Sequence, residues 1–100
     1  MIRFTKTQTR PDASIPFFES TDDAVKAYFY NKFIKPLKFL ADVKTLSDDK
    51  LTLISVSDWA SVEDYLDLLT DEYCYVNIVL PSKEYNKTNN IILTVVAEEI

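Results

Sequence analysis

SDDKLTLISVSDWASVEDYLDLL, residues 47–69, holds a turn, a strand and a capped helix in succession. Ser47-Asp48-Asp49-Lys50 is polar and suits a hairpin turn, with an Asp standing where glycine usually takes the left-handed conformation. The run 51–59 is apolar on both parities: Leu51 and Leu53 on one, Ile54 and Val56 on the other. A strand with one face in water alternates more cleanly than this. Ser61 then begins a capping box with Asp64 in place of the usual Glu. Val62, Tyr65, Leu66, Leu69 and Tyr73 follow at helical spacing, with Glu63, Asp64, Asp67 and Asp71 on the wet side.

Phe39–Leu46 is the first strand of the hairpin. Upstream, Val25, Tyr28, Phe29 and Phe33 fall on one face of a helix over about 22–35. Ser20 and Thr21 are candidate N-caps, Asp22 and Asp23 sit in the first turn, and Pro36 should end the helix. The first nine residues alternate as a strand, with Ile2 and Phe4 on one side and Arg3, Thr5 and Thr7 on the other. The loop 10–20 carries Ile15, Phe17 and Phe18 and should lie over the chain's own core, although a pocket mouth also suits it. Downstream, 74–90 reads as a kinked continuation of the second helix, interrupted at Pro81 and closed by Asn89-Asn90; a strand at CYVNIVL is the alternative. Residues 91–97 form the last strand.

The order strand, helix, strand, strand, helix, strand predicts one α+β domain over 1–100, ferredoxin-like, with an antiparallel sheet and both helices on one face. The open face would still carry apolar side chains, which predicts a face-to-face homodimer. A monomer whose loop 10–20 covers that face is the alternative.

Composition removes much chemistry. Among 100 residues there is no histidine and no glycine. That excludes a Ser-His-Asp triad, a Cys-His dyad, a His-ligated haem, a P-loop and a dinucleotide fingerprint. Positive-φ positions must fall to Asn or Asp. The single cysteine, Cys74, cannot form an internal disulfide and suits a reducing, cytoplasmic setting. It has no basic neighbour in sequence, so packing is the expected role. No apolar run reaches the ~20 residues of a membrane span, and MIRFTKTQ lacks a signal core. Residues 1–50 hold nine basic and seven acidic side chains; residues 51–100 hold two basic and nine acidic. The acidic half argues against nucleic acid and anionic lipid. The RNA-recognition fold shares this element order, but residues 51–59 offer no stacking pair. Adjacent carboxylates such as Asp22/Asp23 and Glu63/Asp64 diverge on regular elements and suit caps better than a metal.

SDDKLTLISVSDW and SVEDYLDLL, with the element order, resemble the antibiotic-biosynthesis-monooxygenase superfamily, also called the dimeric α+β barrel. There a similar segment joins the two central strands, a tryptophan ends the second, and a Ser-capped acidic helix follows. The chain is similar, too, to small bacteriophage members, which would place it in a host cytoplasm. The resemblance implies cofactor-free oxygenation of polycyclic aromatics or haem degradation, with a pocket beside Trp59. Haem-degrading members use a histidine on the second helix, and this chain has none. Where members use an asparagine near the pocket, the first strand here offers Thr5 and Thr7. The expectation is therefore a homodimer without cofactor or metal, non-catalytic, binding a small apolar ligand through Trp59, Tyr28, Tyr65 and Phe18. For Trp59 a purely hydrophobic anchor is the competing role. A cofactor-free monooxygenase and an acidic protein-interaction module are the alternative functions.

Overall fold

Alternating polarity folds Ile2–Thr9 as β1, and the hairpin gives β2, Phe39–Leu46, and β3, Thr52–Trp59. The last strand, β4, is Ile92–Glu99. The computed structural model describes residues 1–100. The four strands form one sheet in the order β2-β3-β1-β4. Every pairing is antiparallel, with Ile2 opposite Trp59 and Glu99, and with Val43 opposite Val56. A bulge at Leu40 interrupts β2. This is the α+β ferredoxin-like arrangement, with helices on one side of the sheet. The thin dimension of the molecule, 19 Å against 37 and 30 Å, follows from that one-sided layering.

The first helix, α1, is Asp23–Phe29, extended by a π-helical turn over Tyr30–Ile34. Its N-cap is Asp22, not Ser20 or Thr21: the Asp22 carboxylate accepts from Ala24 N at 2.8 Å and Val25 N at 3.1 Å. A carboxylate also answers the helix dipole, which a hydroxyl does less well. The helix stops before Pro36 in a Schellman motif. Leu37 N–H donates to Ile34 O and Lys38 N–H to Phe33 O, both at 3.0 Å. The motif requires left-handed backbone, and Leu37 adopts it with φ 61°.

The second helix, α2, is Val62–Thr70. Ser61 Oγ accepts from Asp64 N at 3.1 Å and donates to the Asp64 carboxylate at 2.9 Å, so the cap forms while the shorter acid returns to the Ser61 hydroxyl and not to its backbone N–H. Residues 74–90 are helical, as α3 (Glu72–Cys74), a π-helical turn (Tyr75–Val79) and α4 (Leu80–Thr88). Pro81 has no N–H to give the carbonyl one turn back, and the widened turn just before it absorbs that loss. A second Schellman motif ends α4, with Asn90 at φ 55°. The hairpin turn departs from expectation: Lys50, at φ 64°, takes the left-handed position. Asp49 instead accepts from Ser47 Oγ and Leu51 N, which fixes the turn from its other side. Of the three positive-φ residues only one is Asn, so the absence of glycine has left Leu and Lys in backbone they disfavour.

Candidate functional site

Side chains on the inner face of the sheet, beneath the helices, come from even positions of β1 and odd positions of β3. At one end Phe4 stacks on Tyr65 with ring centroids 3.9 Å apart. Trp59, 2% exposed, meets Phe39 at 5.1 Å, Tyr65 at 5.6 Å and Phe33 at 5.7 Å, all edge-on. Such contacts suit ring quadrupoles, with positive edges on negative faces. Phe33 and Cys74 complete this buried cluster.

A polar clasp ties the helices together beside it. Tyr28 O–H donates to Asp71 at 2.9 Å, Lys32 pairs with the same carboxylate, and Cys74 N–H donates to its other oxygen at 2.9 Å. Burial works to raise the Asp71 carboxyl, but hydrogen bonds from Lys32, the Cys74 backbone and Tyr28 outweigh it and hold the group well below the usual carboxylate range. The Cys74 thiol is pushed up to about 11, by burial first and by the charge of Asp71 next. Burial also raises the Tyr65 phenol.

The structure therefore brings Trp59 and Tyr65 together and sets Tyr28 against their cluster, with its hydroxyl turned to Asp71. Phe18 lies elsewhere, 5.9 Å from Tyr85, whose hydroxyl donates to Pro16 O. Arg10 lies 4.4 Å over Phe17 and donates to Ile15 O at 2.8 Å, so the loop 10–20 is strapped between the hairpin end and α4. It does not cover the outer face of the sheet. There Val43, Val96 and Ile92 stand 62%, 65% and 68% exposed. The outer face also carries a bidentate pair, Arg3 to Asp58 at 2.8 and 3.0 Å.

Two concavities indent the surface. One, of about 270 Å³, lies among Val25, Phe29, Ile34 and Ile78 with Ser20 and Lys26 at its rim. Phe29 is shared with the aromatic cluster, 6.5 Å from Trp59. The other, of about 410 Å³, lies at the sheet end among Met1, Ile2, Ala60, Ser61, Val62 and Glu99. Neither is lined by Trp59, Tyr28, Tyr65 or Phe18. Sequence reading missed Ile34 and Ile78 as cleft residues. Their signal is slight, since each sits in a π-helical turn that displaces it from the regular helical stripe. No three acidic or cysteine side chains converge as a metal site would require, and no helix is long and apolar enough to cross a membrane.

Sheet order and helix placement define a ferredoxin-like α+β domain, and solved structures of antibiotic biosynthesis monooxygenases share that fold. The chain is similar in fold to SnoaB, a cofactor-independent oxygenase from Streptomyces nogalater, with a TM-score of 0.66 and 13% identity over 99% of this chain and 91% of that one. A dimeric ferredoxin-like protein from an uncultured marine organism gives 0.66 at 10% identity, covering 100% and 94%. A structure described as an antibiotic biosynthesis monooxygenase gives 0.60 at 14% identity, covering 100% and 98%. No protein-family model and no curated protein matches the sequence.

Proposed function

We propose that the chain works in the cytoplasm as a homodimer closed through the outer sheet faces. Each protomer binds a small apolar molecule in the cleft of Val25, Phe29, Ile34 and Ile78, and no reaction follows. The observation that carries this is the uncovered outer face. The single chain buries only nine of its 100 residues, while Val43, Ile54, Ile92 and Val96 lie exposed on one surface. Four eight-residue strands, at about 3.4 Å per residue and about 4.8 Å between strands, make a face of roughly 500 Å² in plan. Two such faces, with side-chain relief added, reach the size of a specific interface, on the order of 1,600 Å². The dimeric neighbour shares this fold.

Binding without turnover is favoured by the state of the reactive groups. Cys74 is sealed and its thiol raised, and Asp71 is occupied by three donors. An acidic docking helix is disfavoured because Lys38 already lies 4.0 Å from Asp64 and 3.4 Å from Asp67.

Light scattering at micromolar concentration should give about twice the 11.6 kDa chain mass, and Val96→Lys should halve it. A wild-type species of 11.6 kDa overturns the dimer. For the cleft, calorimetric titration with 1-naphthol should show binding that Ile78→Lys removes. Incubation with an anthrone-type substrate under oxygen should show no turnover above buffer. Turnover lost in Trp59→Phe would replace the binding reading with a cofactor-free oxygenase.

A further inference from the structure

Beyond the aromatic cluster, the inner face of the sheet changes character. The row next to Phe4 and Ser57 runs Lys44, Ser55, Lys6, Val95 across the four strands, each opposite its neighbour in register. Ser55 is 4% exposed, and its Oγ, closed off from solvent, has no hydrogen-bond partner. Lys6, half-buried, forms no ion pair and no hydrogen bond. Burial pushes its ammonium below the ordinary lysine value, and the charge of Lys44 pushes it further. An unpaired, half-buried cation beside an unpaired hydroxyl closed off from water is an arrangement that folding alone does not favour.

We propose that Lys6 Nζ and Ser55 Oγ form a binding point for the carboxylate of a small apolar acid. This point is independent of the cleft proposed above for neutral apolar ligands. The charge count selects the anion. Lys44 is drawn toward Asp42, with Nζ to Oδ2 at 4.0 Å, so the two lysines and one aspartate leave one net positive charge. That suits a monoanion and not a phosphate dianion. The neighbours select the rest of the ligand: Leu53 opposite Gln8, and Val95 and Leu93, 46% and 41% exposed, offer apolar surface along the same face. No partner holds the Lys6 head, and the register sets its side chain directly opposite Ser55 on the same face. The carboxylate then accepts from both groups and satisfies both.

A second orphan lies toward the far end of this face. Asn86, 6% exposed, has its Oδ1 unpartnered in the last turn of α4, and its backbone carbonyl accepts from Ile91 N at 2.8 Å, just ahead of the β4 residue paired with Thr9. A carboxylate has no hydrogen to give this oxygen, so Asn86 is not placed in the site.

The test is calorimetric titration of the whole protein with sodium octanoate and, separately, with 1-octanol. Octanoate should bind at least tenfold more tightly than octanol. Lys6→Met and Ser55→Ala, both near-isosteric, should each weaken octanoate about tenfold and leave octanol unchanged. Thermal unfolding of both variants at or above the wild-type midpoint confirms that the loss is not one of folding. Octanoate binding equally to wild type and Lys6→Met overturns the proposal. So does an effect confined to Lys26→Met, which would put the acid in the other cleft, and so does the absence of octanoate binding to the wild type. Loss of 1-naphthol binding in Ile78→Lys, with octanoate binding intact, would keep the two sites distinct.

Discussion

The two ends of the inner sheet face are built from the same strands and differ in kind. At one end Phe4, Trp59 and Tyr65 touch rings between 3.9 and 5.6 Å apart. Two residues further along β1, Lys6 faces Ser55 with neither partnered. Register explains how this happens abruptly: pleating returns every second residue to the same face, so one step of the ladder exchanges an aromatic row for a polar one. The contrast teaches where stability and recognition reside. The aromatic end has spent its surface on packing, and the polar end keeps unmet hydrogen-bonding capacity.

The largest effect should come from breaking the aromatic end. Trp59→Ala removes the side chain about which Phe33, Phe39 and Tyr65 are arranged. A loss of about 3–5 kcal/mol is expected for such a buried truncation. In so small a domain that leaves little folded protein, and urea unfolding read by circular dichroism checks it. A loss under about 1 kcal/mol would mean the two ends are alike.

The clasp at the border sharpens the same contrast. Asp71→Ala removes the cap on Cys74 N–H and the shared acceptor of Tyr28 and Lys32. The cap alone is worth about 1–2 kcal/mol. The folded carboxyl is held below its unfolded value, so its contribution is complete above the ordinary carboxylate range and fades only in strong acid. The difference between wild type and Asp71→Asn should therefore be constant from pH 5 to 8 and shrink as pH falls below about 4. A difference that already fades near neutrality would show that the three donors do not hold the charge.

Much of this was legible in the sequence, and the misses are instructive. All four strands, both helical regions and the continuation through Pro81 follow from periodicity and breakers. Trp59 and Tyr65 were legible as neighbours because a strand end and the helix it feeds must pack together. The backbone at Leu37 and Lys50 was not, because no side-chain pattern announces a left-handed leucine in a chain lacking glycine. The Asp22 cap was missed by one or two residues, a difference that hydroxyl and carboxylate caps leave open until geometry selects. The polar row was missed because Lys6 and Gln8 continue the face that Ile2 and Phe4 mark as apolar, and Ser55 shares its parity with Leu51 and Leu53, so only the register shows them gathered on the inner face. Leu37→Gly follows from the first of these misses. It should stabilise the chain by about 1 kcal/mol, since Leu37 is exposed and glycine relieves the left-handed strain. No gain in melting temperature would mean that the strain is met elsewhere in the turn before β2.

The smallest effect, and the one of opposite sign to Trp59→Ala, belongs to Lys6. Lys6→Met replaces an unpaired, half-buried ammonium with an apolar chain of similar length. Removing a desolvated charge with no partner should stabilise by about 0.5–1 kcal/mol at pH 7. The folded ammonium releases its proton more readily than the unfolded one. Between the lowered value and 10.5 the unfolded chain thus binds more protons, and wild-type stability rises with pH relative to the variant. Paired urea titrations at pH 7 and pH 10 should show the advantage of Lys6→Met shrinking at the higher pH. If Lys6→Met is instead less stable at pH 7, the lysine is held by its surroundings as firmly as Trp59 is by its neighbours. The polar end would then be structural, and the capacity assigned to it for an acid would already be spent within the fold.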